Sequence, residues 1–191
     1  LELARTAAAS VPITLHNLHH HSAETAELAI ALMLAAAKSV VPVDAAFRKH
    51  DWGAQYEQTS TLALEGRRAL VVGLGEIGRR VARACLGIGM AVTGINTSGD
   101  RREGLDGVEV QGVDSLFAQL SRADALLICV PFTERTKGLI ARAELAALPR
   151  EAILVNVARG QIVDEESLYD ALRQRRIHSA GLDVWYRYPE H

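Results

Sequence analysis

The stretch that decides the fold is Ala69-Leu70-Val71-Val72-Gly73-Leu74-Gly75-Glu76-Ile77-Gly78. The unbroken apolar run from Ala69 to Val72 is what a strand shows when both faces of a parallel sheet are covered. Gly73, Gly75 and Gly78 follow in the order G-x-G-x-x-G. From Ile77 to Leu86, the positions Ile77, Val81, Ala84 and Cys85 fall on one helical face. A second apolar run, Ala91 to Ile95, ends beside Asn96. Glycines in turns are common, and it is the succession of strand, glycine turn, helix and strand that gives this motif its meaning. In that setting Gly73 permits the tight turn, Gly75 lets a pyrophosphate approach the backbone, and Gly78 lets helix and strand pack closely. The first-turn N–H groups at Glu76 and Ile77, with the positive end of the helix dipole, then face phosphate.

Outward from this unit the same alternation repeats. Apolar runs recur at Leu126–Val130, Ile153–Val157 and Ala180–Val184, with helical patterns at Asp114–Leu120, Ala141–Leu148 and Asp164–Arg175. Alternating buried strands and helices predict an α/β fold, a doubly wound parallel sheet of the Rossmann type. The first 60 or so residues read differently. Val11–Leu15 is a short extended run, and His16, His19, His20 and His21 sit in a polar loop. That loop has no nearby cysteine, and three of its histidines are contiguous, so no metal site is expected there. Ser22 is the expected N-cap of a helix running to about Lys38, with Glu24 in its first turn and Pro42 marking its end or a restart. Phe47 to Thr61 is polar and carries Trp52 and Tyr56, the composition of an arm or connector.

Composition excludes several classes of function. The 191 residues carry 21 Lys+Arg against 23 Asp+Glu, a net charge of −2, and are 49% hydrophobic. That balance offers no basic footprint for nucleic acid or an anionic membrane, and the apolar fraction excludes a disordered chain. The most apolar stretch, Leu28 to Ala37, is shorter than the roughly 20 residues of a membrane span. Leu1 to Ser10 lacks the apolar region of a secretory signal. Cys85 and Cys129 make no disulfide framework and read as reduced core residues, so a cytoplasmic protein is expected.

The end of the second strand is where the ribose of a dinucleotide is read. An NAD-selective site normally carries a carboxylate there. This chain has Asn96, followed by Thr97, Ser98, Gly99, Asp100, Arg101 and Arg102. A carboxylate about 4 Å from a 2′-phosphate costs on the order of 1–4 kcal/mol in wet surroundings. Asn96 removes that repulsion, and Thr97, Ser98 and Arg101 are candidates to bind the phosphate. The expected cofactor is NAD or NADP, leaning to NADP.

Further motifs identify a family. The chain resembles the NAD(P)-dependent D-2-hydroxyacid dehydrogenases, which include phosphoglycerate dehydrogenases, glyoxylate/hydroxypyruvate reductases and formate dehydrogenases. Thr25-Ala26-Glu27 is similar to that family's V-A-E helix, and Leu64-Glu65-Gly66 precedes the glycine motif as it does there. Pro131-Phe132-Thr133 with Thr136-Lys137-Gly138-Leu139-Ile140 resembles its P-x-T-x-x-T-x-x-L-I loop. Asn156-Val157-Ala158-Arg159-Gly160 with Val163-Asp164-Glu165 resembles N-x-x-R-G-x-x-V-D-E, and Leu182-Asp183-Val184 resembles the L-D-V strand.

The resemblance implies hydride transfer between a nicotinamide and a D-2-hydroxy acid or 2-oxo acid, in a homodimer formed through the cofactor domain. It implies Val130 and Pro131 beside the adenine, Thr136 near the phosphate and nicotinamide, Val157 and Ala158 along the cofactor, and Asp183 at the nicotinamide amide. Arg159 is the implied catalytic cation, whose planar guanidinium suits a carboxylate. The family's glutamate before a proline is replaced here by Tyr188, as the formate dehydrogenase branch also lacks it. Residues 1–21 are expected to be a remnant of a substrate domain with the crossover loop, and 22–185 the dinucleotide-binding domain. Residues 186–191 would begin the return to the substrate domain. The implied acid–base histidine lies beyond His191, so cofactor binding with little turnover is expected. The alternative is a non-catalytic NAD(H)-binding regulatory module of the same fold.

Overall fold

A computed structural model describes residues 20–53, 61–100 and 103–188. The expected extended run at Val11–Leu15, as well as His16, His19, Tyr56, Arg101 and Arg102, lies outside the described residues.

The predicted sheet is present, with one strand more than expected. Six parallel strands stand in the order β3-β2-β1-β4-β5-β6, where β1 is Arg68–Val72, β2 Ala91–Asn96, β3 Val108–Gly112, β4 Ala125–Ile128, β5 Ile153–Asn156 and β6 Ser179–Leu182. The sequence reading missed β3. It is an edge strand, of which only Val108 is buried, and Glu109 and Gln111 break its apolar run. The interior strands have no polar face to reveal: Ala69, Val71, Ala125, Leu127, Ile153 and Val155 point into one core, and Leu70, Val72, Leu126, Ile128 and Leu154 into the other.

Helices α1 (Ser22–Ala37), α2 (Val40–Phe47) and α3 (Glu76–Gly87) are followed by α4 (Leu116–Leu120), α5 (Arg142–Ala147) and α6 (Glu165–Arg173). α1 and α3 cover the first core, and α4, α5 and α6 the second. Ala26, Ala29, Met33 and Ala37 are the buried apolar stripe of α1, spaced to make one helical face. Small residues let this helix lie close to the sheet: a Cβ at Gly181 in β6 would stand 2.8 Å from Leu32 Cβ. Ser22 is not the N-cap. His21 holds that position without a side-chain bond to the helix backbone, and Ser22 is buried as the first helical residue. The chain restarts at Val40 after Ser39 takes the left-handed conformation, which puts Pro42 in the first turn, where its missing N–H costs no hydrogen bond. Lys38 Nζ and Leu62 N–H then tie the end of α1 to the segment leading into β1.

Candidate functional site

The sheet order reverses between β1 and β4, and in open α/β sheets ligands bind beyond the strand ends at such a point. A cleft of about 430 Å³ lies there. It gathers Gly73, Gly75, Asn96, Thr97, Val130, Pro131 and Thr136 from the expected site residues. Leu74, Ile95, Val113, Cys129, Thr133, Arg135 and Leu139 also line it, and sequence reasoning missed them. Val113 was hidden because it follows the unrecognised β3, and Arg135 because it stands at an unspecified position of the matched loop motif.

The three motif glycines answer to different demands. Gly73 has φ +96°, and a Cβ there would meet the Cys129 carbonyl at 2.8 Å. A Cβ at Gly78 would fall 1.8 Å from the Gly73 oxygen. The fold itself requires glycine at both. Gly75 is the exception, with φ −75° and ψ −162°, a conformation open to any residue. A Cβ there would meet no atom within 4 Å. It caps α3 without any side-chain bond, so the first-turn N–H groups of that helix are left for another partner. The space above Gly75 is a cradle that a Cβ would begin to fill, as a bound pyrophosphate requires.

Glu76 and Ile77 lie off the cleft lining, as does Gly78. Ile77 packs partly into the core. The Glu76 carboxylate pairs with Arg79 and with Arg80 Nη1, at 2.8 Å for the latter, and these arginines hold its carboxyl below the usual range. Its charge is therefore answered within its own helix.

At the end of β2, the Asn96 side chain builds the following turn. Its Nδ2 donates to the Asp100 carbonyl at 2.8 Å, and its Oδ1 accepts from Gly99 N at 2.5 Å. Only an amide satisfies both, since a carboxylate has no proton to give. Ser98 Oγ accepts from Asp100 N at 3.3 Å. Across the cleft, the Thr136 hydroxyl donates to the Pro131 carbonyl at 2.8 Å and accepts from Thr133 N at 2.8 Å, fixing the loop after β4. Burial at the cleft floor pushes the Cys129 thiol up to about 12.

A second constellation stands at the ends of β5 and β6. Asn156 is buried, its Nδ2 donating to the Arg159 carbonyl at 2.9 Å and its Oδ1 accepting from Ala158 N at 3.0 Å. This clamp turns the chain so that Val157 and Ala158 point into the two cores, not into the cleft, and Arg159 emerges exposed. Arg159 Nη1 donates to the Ala158 carbonyl at 2.6 Å, and no carboxylate pairs with it among the described residues. A Cβ at Gly160 would come 2.6 Å from the Trp185 oxygen, so the segment after β6 rests directly on the Arg159 turn. Asp183 N donates to the Asn156 carbonyl at 3.1 Å, which brings Asp183 to the same edge with its side chain exposed. Tyr188 accepts a hydrogen bond from Trp185 N at 3.2 Å through its phenol oxygen. At the start of α1, exposed His21 lies 2.7 Å from Glu24 through Nδ1.

The comparisons agree with this geometry. The sequence profile of the D-isomer specific 2-hydroxyacid dehydrogenase NAD-binding domain matches residues 30–191. A D-3-phosphoglycerate dehydrogenase of Methanocaldococcus jannaschii is 34% identical over 168 residues, covering 88% of this chain and 32% of that protein. The crystal structure of a glyoxylate reductase from Paecilomyes thermophila superposes with a TM-score of 0.84 at 29% identity, over 97% of this chain and 56% of that one. A D-isomer specific 2-hydroxyacid dehydrogenase from Xanthobacter autotrophicus Py2, solved with NADPH and MES, gives a TM-score of 0.78 at 29% identity over 94% of this chain and 72% of that one. The chain thus spans about a third of the length of the first of these relatives. With a six-stranded Rossmann sheet, a glycine cradle at its switch point and a matching sequence profile, the chain belongs to the D-isomer specific 2-hydroxyacid dehydrogenase family, whose NAD-binding domain it carries.

Proposed function

We propose that residues 22–185 bind NAD(P)(H) across the β1–β4 switch point for hydride transfer to or from a D-2-hydroxy acid or 2-oxo acid. The observation that carries this reading is Gly75, a glycine the fold does not require, standing where a phosphate would need the space. Bound nicotinamide cofactor supplies the hydride donor or acceptor. The chain's own residues hold and orient: α3 N–H groups take the pyrophosphate, Val130 and Pro131 flank the adenine, and Asp183 faces the nicotinamide amide. Arg159, clamped by Asn156 yet free of any described carboxylate, holds the carboxylate of the acid through paired hydrogen bonds. Thr97 and the neutral Asn96 end of β2 favour a phosphorylated ribose, so NADP is accepted and preferred. A second copy of the chain covers Val40, Val41 and Trp52, apolar side chains that are 51%, 72% and 61% exposed.

Titration of the chain with NADH and NADPH, followed by nicotinamide fluorescence, tests the reading. Saturable enhancement with both, tighter for NADPH, is the expected result. No saturable change with either nucleotide would overturn it.

A further inference from the structure

Arg135 is the one charged side chain lining the cleft among the described residues. Its backbone is fixed and its head is free. The turn that carries it is closed by Thr136 N and Lys137 N, both donating to the Thr133 carbonyl at 3.0 Å, and by the Thr136 hydroxyl latch onto Pro131. Yet Arg135 is exposed, and its guanidinium makes no ion pair or hydrogen bond with another described residue. A cation held ready without a partner among the described residues, in a cleft whose described lining has no carboxylate, is a site for an anionic group of the ligand.

Which anionic group follows from what else lines the cleft. The residues present belong to the ends of β1 and β2 and to the segments that follow β1, β2, β3 and β4, whereas Arg159 and Asp183 are not among them. The cleft is therefore the adenosine half of the site. Within it, the pyrophosphate is served by the cradle at Gly75 and the uncapped start of α3. At the ribose end, Asn96 and Ser98 spend their side chains on their own turn, leaving the uncharged Thr97. A dianion beside Thr97 has Arg135 as its described cation.

We propose that Arg135, reaching over from the loop after β4, binds the 2′-phosphate of NADP(H) and is a specificity-determining residue for it. This rests on the nucleotide-binding reading above. The guanidinium gives a phosphate two parallel N–H···O bonds, a geometry lysine does not reproduce.

The test uses the full chain, with NADPH and NADH titrated by fluorescence, and adenosine 2′,5′-bisphosphate and AMP by calorimetry. Arg135→Ala is expected to weaken NADPH and the bisphosphate by about 10- to 100-fold, as loss of a charge-assisted contact does, and to leave NADH and AMP within about twofold. Arg135→Lys should recover part of the loss. Equal loss for NADPH and NADH would put the guanidinium on the pyrophosphate and overturn the assignment, as would no loss for either. Those outcomes leave the nucleotide-binding reading standing. If the unaltered chain binds neither nucleotide, that reading falls, and the role of Arg135 with it.

Discussion

The two constellations along the carboxyl edge of the sheet differ in how complete they are. Around Gly75, Asn96 and Thr136, loops from both sides of the switch point enclose a cleft and bond chiefly to themselves. Around Asn156 and Arg159, a buried amide supports an exposed guanidinium whose outward face has no described partner. The first is a container and the second a bracket. On the proposed reading, the domain encloses the adenosine half of the site by itself and offers only one wall of the half that holds the acid.

The contrast is broken most directly at the glycines. Gly75→Val should lower the affinity for both nucleotides by about 100-fold, because phosphate bonds worth about 1.5–3 kcal/mol each are displaced. Thermal unfolding of that variant should stay near that of the unaltered chain, since the added Cβ meets no atom within 4 Å. Gly78→Ala should instead cost about 3 kcal/mol of stability in denaturant melts, because its Cβ collides with backbone and cannot be relieved by a rotamer. If Gly75→Val were the less stable of the two, the division between fold glycines and ligand glycine would collapse.

A smaller effect is expected at Asn96. In Asn96→Asp the bond to the Asp100 carbonyl is lost and a carboxylate enters the cleft edge, so NADPH affinity should fall about 10-fold while NADH is spared. A parallel loss for NADH would show that the turn, not the charge, governs binding. Smallest of all, Arg159→Ala should leave the affinity for either nucleotide within about twofold, a change below about 0.4 kcal/mol in a fluorescence titration. A large change there would mean that the two constellations are one site energetically.

Much of this was legible in the sequence, for a physical reason. Interior parallel strands are buried on both faces, so β1, β4 and β5 read as continuous apolar runs, whereas edge strand β3 has one buried side chain and no such signature. The glycine motif already set Gly75, as the expected point of phosphate approach, apart from Gly73 and Gly78, and the geometry adds that the fold requires glycine at the latter two. Asn96 was visible as the absence of a carboxylate, but its hydrogen bonds to Gly99 and Asp100 depend on a turn that no periodicity encodes. Ser22 has the residue type of a cap, but the helix starts one residue earlier than its type suggests, with His21 at the cap and Ser22 buried as the first helical residue.

The close contact at Gly160 has a mechanical consequence. With no side chain between them, the peptide linking Trp185 and Tyr186 presses on the turn that presents Arg159. A side chain at position 160 would have to displace either that peptide or the turn, and with the turn the guanidinium that Asn156 supports from the sheet.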